Sequence, residues 1–230
     1  MQDVERAEIR RHAATVRLTH WVNVICFAFL LWSGIGILIA FPQFHWGMVG
    51  YVGLEPALKL PIKLDTKYTD WARPMHFAFA WLFVANGILY LAYGFLRGHF
   101  ARDLAPRRDE LKPRNLVAEM TAHLRTAFSR REAEMHYNLA QKIAYCLVIF
   151  VLAPVMVLTG LAMSPAFVAA QPWLLDIFGG RQSARFIHFI DVTLLVLFLL
   201  VHVSQVFATG FANQIRGMIT GRYVIGKADA

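Results

Sequence analysis

Four of the nine histidines in this chain fall in or beside long apolar runs: His20, His76, His188 and His202. An imidazole in hydrocarbon is costly unless something uses it. His188 and His202 share one run, "RFIHFIDVTLLVLFLLVHVSQVF", fourteen residues apart. On an α-helix that gap is about 21 Å along the axis and leaves the two rings about 40° apart around it. Both rings therefore face one side, at two depths. His76 opens its run at the depth of His188, and His20 opens its run at the depth of His202. Two stacked pairs of facing imidazoles suit two six-coordinate haems with bis-histidine ligation. The expected iron ligands are His20 with His202 and His76 with His188, and the expected cofactors are two haem b.

Three of these histidines follow an arginine by three residues: Arg17 before His20, Arg73 before His76 and Arg185 before His188. Each arginine sits at a helix entry near the headgroups, where haem propionates prefer to lie and a guanidinium can pair with them. Snorkelling at the interface is the plain alternative. Gly34 lies fourteen residues after His20 and Gly87 eleven after His76, each on the face of its histidine and at the depth of the other haem. A flat macrocycle packs closely where a side chain is missing, although small residues also serve ordinary helix contacts. Cys26 and Cys146 lie inside apolar runs and belong to no CxxC or CxxCH motif, which argues against covalent haem, a thiolate cluster or a disulfide framework.

The elements that must position these residues are membrane helices. The chain is 57% hydrophobic and 17% charged, and its long uncharged runs mark an integral membrane protein. Four runs are long enough to cross a bilayer, at about 20–41, 75–96, 143–163 and 186–209. The expected fold is all-α, a bundle of four transmembrane helices enclosing two stacked b-type haems, with residues 1–230 as a single membrane domain. Pro154 is expected to kink the third helix. The first run is long and lacks a small-residue cleavage site, so it is expected to be a retained helix.

A net charge of +8 could point to nucleic acid, but the basic residues sit between the apolar runs and so read as topology. Seventeen of the 23 lysines and arginines lie in the N-terminal segment, the 97–142 connection and the C-terminal tail. The positive-inside rule places that side, with both termini, in the cytoplasm. Within the 97–142 connection, "PRNLVAEMTAHLRTAFS" has the apolar spacing of a helix lying along the membrane surface. His12, His45, His99, His123 and His136 are expected at surfaces or interfaces, and Asp191, one turn after His188, is expected as an acidic residue favoured in a helix's first turn, the alternative being a proton acceptor or orienting group near the outer haem.

The motifs "RLTHW", "RPMHF", "RFIH" and the His188-to-His202 spacing together resemble the bacterial di-haem cytochrome b subunits of membrane-bound formate dehydrogenases, nickel–iron hydrogenases and thiosulfate reductases. The resemblance runs from about Arg17 to Arg216. It implies the same ligand pairs. It also implies a quinone site at the start of the third helix, where "HYNLAQK" places Asn138, Gln141 and Lys142 on the family's N-x-x-Q-K pattern, with Ala140 where relatives often have glycine. The expected function is electron transfer across a bacterial inner membrane, between membrane quinone and a periplasmic subunit carrying molybdenum cofactor or iron–sulfur clusters. One rival is a free-standing quinol oxidoreductase acting on a small acceptor. The other is a transporter using its histidines for metal or protons, which spans so poor in carboxylates and amides fit badly.

Overall fold

The computed structural model describes residues 6–50, 54–62, 69–107, 110, 112 and 139–226. The surface-helix segment at 113–129 and Asn138, His123 and His136 lie outside these residues. The fold is all-α with four long apolar helices: α1 (Ala14–Ala40), α2 (Ala72–Leu96), α3 (Leu139–Met163) and α6 (Arg181–Ala208). Two short helices, α4 (Pro165–Ala170) and α5 (Trp173–Phe178), join α3 to α6, and α7 (Phe211–Thr220) follows α6. Large apolar side chains such as Leu18, Trp81, Leu89, Leu96 and Leu200 are exposed along the long helices, as lipid contact requires.

Each long helix begins a few residues before the apolar run that announces it. Arg17, Arg73 and Arg185 are thereby inside the first turns, not ahead of them. In α3 the backbone widens into a π-helical turn at Val148–Leu152, immediately before Pro154. Proline lacks a backbone donor and its ring crowds the carbonyl four residues earlier, so a wider turn accommodates it.

Two compact units divide the chain. One holds residues 22–86 and 149–196. Its small core is Ala162, Leu174 and Ala184, with Leu161, Phe167 and Phe178 packed on it. Phe29 of α1 stacks on Phe79 of α2 at 4.2 Å, and Asn86 donates to Asn23 at 2.7 Å. Strands β2 (Gln43–Phe44) and β3 (Leu58–Lys59) pair in the loop between α1 and α2. That loop also docks on the start of α6: the Gly47 carbonyl accepts from the Gln182 and Ser183 amides at 2.9 and 3.3 Å. Ser183 Oγ in turn accepts from the Gly47 amide at 2.8 Å. These bonds satisfy donors that a helix N-terminus would otherwise leave orphaned.

The other unit holds residues 1–21, 87–148 and 197–230. Here β1 (Arg6–Arg10) and β4 (Arg222–Gly226) pair antiparallel, with Glu8 opposite Val224. Tyr223 of β4 is fully buried and its ring lies under the Arg11 guanidinium. Asn213 of α7 grips β4 twice, donating to the Val224 carbonyl at 2.9 Å and accepting from its amide at 3.1 Å. Nothing in the sequence pattern announces this pairing, because each strand has only five residues and its partner lies at the other end of the chain.

Candidate functional site

Within the unit of residues 22–86 and 149–196, α2 presents His76 to His188 of α6, with ring centres 6.3 Å apart and planes at 62°. Within the other unit, α1 presents His20 to His202 of α6, with ring centres 6.4 Å apart and planes at 55°. A metal–imidazole bond of about 2.0 Å, with about 1.1 Å more from nitrogen to ring centre, sets two axial imidazoles roughly 6.3 Å centre to centre. Both pairs have that separation. Among the described residues no group of three or more His, Cys, Asp or Glu side chains is placed to hold a metal ion. A bare transition metal asks for three or four protein ligands, whereas haem iron takes its equatorial nitrogens from the macrocycle and needs two. Each pair supplies the two imidazoles that a haem iron takes from protein.

The environment of His76 and His188 supports that fit. His76 Nδ1 lies 3.0 Å from Ser33 Oγ, and His188 Nδ1 lies 2.9 Å from Thr159 Oγ1. Each hydroxyl already donates to its own helix, Ser33 to the Phe29 carbonyl at 2.6 Å and Thr159 to the Val155 carbonyl at 2.7 Å. With the hydroxyl protons so engaged, each oxygen can accept from its histidine, the arrangement in which Nδ1 carries the ring proton and Nε2 keeps its lone pair. A glycine also borders each ring. A Cβ on Gly34 would meet His76 Cε1 at 3.6 Å, and one on Gly160 would meet His188 Cε1 at 3.7 Å. By contrast His20 Nδ1 is buried with no partner among the described residues. Phe198 stacks on His202 at 5.8 Å and 17°.

Gly34 thus stands beside His76, while Gly87 faces open space, with nothing within 4 Å of an added Cβ. The three arginines turn to neighbouring chain. Arg17 donates to the Ile219 carbonyl of α7, Arg185 donates to the Phe41 and Gln43 carbonyls, and Arg73 lies over the Phe41 ring at 6.0 Å. Ser33, Thr159 and Gly160 escaped the sequence reading. Asp191 is buried, with both carboxylate oxygens unpartnered among the described residues. His45 and His99 are buried, not surface residues. His99 Nδ1 pairs with Asp103 Oδ2 at 2.7 Å. Burial alone would raise the Asp103 carboxyl, but hydrogen bonds from Arg102 and His99 outweigh it and hold it below its usual range.

At the start of α3 the structure joins Lys142 to a residue the sequence reading passed over. Lys142 is buried, and its ammonium donates to both carboxylate oxygens of Glu110 at 2.8 and 2.9 Å. The bond from Lys142 holds the Glu110 carboxyl below its ordinary value. A carboxyl lowered on folding stabilises the fold above its unfolded value, and that contribution disappears as pH falls through the folded one. Thermal midpoints measured from about pH 7 down through the ordinary glutamate range, at about 4.3, and below it should therefore fall more steeply for the native protein than for Lys142→Met, in which the pair is already gone. Parallel curves would show that the pair contributes nothing to stability.

A membrane protein of four apolar helices, with facing imidazoles spaced for haem, belongs to the class of b-type cytochromes. Residues 11–221 match the family described as prokaryotic cytochrome b561, and the chain belongs to that family. Membership carries haem b binding and a role in membrane electron transfer. The chain is also 32% identical, over 197 residues, to a protein of Azospira oryzae described as the putative protein-methionine-sulfoxide reductase subunit YedZ1. The match covers 85% of this chain and 89% of that relative.

Proposed function

We propose that this chain is a di-haem cytochrome b that transfers electrons between the quinone pool and a redox partner subunit on the outer face of a bacterial inner membrane. The observation that carries this reading is the pair of imidazole couples, 6.4 and 6.3 Å between ring centres. His20 and His202 would hold one haem, and His76 and His188 the other. Bound haem supplies one-electron oxidation and reduction at its iron. Around it the protein fixes ring orientation through Ser33 and Thr159, leaves room at Gly34 and Gly160, and offers the remaining donors of Arg17, Arg73 and Arg185 to propionates.

The uneven distribution of lysine and arginine supports cytoplasmic termini, which would put His20 and His202 toward the cytoplasm and His76 and His188 toward the outside. The polar start of α3, with Gln141 and the Lys142–Glu110 pair, supports a quinone site on the cytoplasmic side. Similarity to a protein described as a reductase subunit supports a catalytic partner subunit.

The test is haem quantitation with a reduced-minus-oxidised spectrum of protein purified from haem-replete cells. Two b-type haems per chain are expected. A quinol analogue should reduce both, each quinol giving up two electrons and two protons and each ferric haem taking one electron. A colourless preparation overturns the haem reading, and haem that quinol leaves oxidised overturns the quinone assignment.

A further inference from the structure

The two histidine pairs differ in how their second ring nitrogens are held. His76 and His188 each place Nδ1 against a hydroxyl oxygen, at 3.0 and 2.9 Å. His20 Nδ1 is buried and has no partner among the described residues. Ser33 and Thr159 come from different helices, yet each stands in the same local arrangement. Each hydroxyl bonds its own helix at the residue four before, and offers its remaining lone pairs to a ring on another helix.

We infer that Ser33 and Thr159 are positioning residues for the haem of His76 and His188, and that they lower its midpoint potential. The inference rests on the di-haem reading proposed above. An N–H that donates at Nδ1 pushes electron density toward Nε2, fixes the tautomer and makes the ring a stronger donor to iron. A stronger donor favours ferric over ferrous iron, so the couple, ferric haem plus one electron giving ferrous haem, moves to lower potential. Among the described residues His20 Nδ1 has no such anchor, so the effect is expected at the haem of His76 and His188.

The experiment is a spectroscopic redox titration of Ser33→Ala/Thr159→Val beside the native protein. His188→Ala identifies the component that belongs to this haem. The ferric-to-ferrous equilibrium of that component should shift about tenfold toward ferrous, about 59 mV upward for a one-electron couple, with the other component unmoved. Ser33→Thr and Thr159→Ser keep the hydroxyl and should titrate like the native protein. Loss of this haem alone, regained in those two conservative variants, also supports the assignment. An unmoved component, an equal shift of both, or a loss that the conservative variants do not repair overturns it. If the native protein binds no haem, the di-haem reading fails instead, and the two failures are told apart before any variant is titrated.

Discussion

His202→Ala is expected to reduce the haem content from two per chain to one. His202 faces His20 at 6.4 Å between ring centres, and Phe198 and Tyr145 flank it at 5.8 and 6.3 Å. Removing the ring would leave His20 as the one imidazole of the pair to hold that haem, which should then be lost. Alanine is the best helix former, so α6 itself should persist. His188 and His76 lie in the other compact unit, with their own hydroxyl anchors, and should keep their haem. The measurement is haem per chain, with the reduced spectrum resolved into its components. His20→Ala should lose the same component as His202→Ala. If His76→Ala removes that component instead, the pairing is wrong.

Gly180→Ala is expected to cost about 3 kcal/mol or more in stability, and to release the haem of His76 and His188 first. Gly180 has φ +113°, a region closed to other residues at low cost. An added Cβ would also lie 2.5 and 2.6 Å from the carbonyl carbon and oxygen of Gly47, and 2.8 Å from the Met48 amide. These are backbone atoms and cannot swing away. Moving them breaks the bonds from Gln182 and Ser183 to the Gly47 carbonyl and from Gly47 to Ser183 Oγ. Those bonds hold the first turn of α6, fewer than two turns before His188. Gly179→Ala is the internal comparison. Its φ is +68°, but its Cβ would meet only Ser183 Oγ at 3.9 Å, so it carries backbone strain without the clash. Thermal midpoints should fall by several degrees for Gly180→Ala and clearly less for Gly179→Ala. Equal losses would mean that the packing against Gly47 is unimportant.

Of the expected elements, the four long helices were legible because a bilayer span is a local property. About twenty consecutive apolar residues specify it wherever the rest of the chain goes. Their starts were less legible. Polar and arginine-bearing first turns extend each helix beyond its apolar run, as in Ala14–Ala40 and Arg181–Ala208. Pro154 marked the irregular point of α3, but whether the chain would answer with a bend or with the π turn at Val148–Leu152 depends on what packs around it. The pairing of β1 with β4 was invisible, since five residues give too little pattern and the partner strand is at the opposite end of the sequence.

The same division runs through the candidate site. The sequence by itself determined which histidines share a helix face and at what depth, because helical rise and rotation are fixed numbers applied to one chain segment. The tertiary structure decided what the other side of each ring touches. Ser33 and Thr159 each bond back to their own helices, which is a local contact. Their second bond, to a ring on another helix, exists only once α1 meets α2 and α3 meets α6. Lys142 was likewise legible only as a candidate for the quinone site, and folding set it against Glu110, thirty-two residues away. Periodicity is written along one segment, whereas a hydrogen bond between segments depends on a distance and an angle that only packing sets.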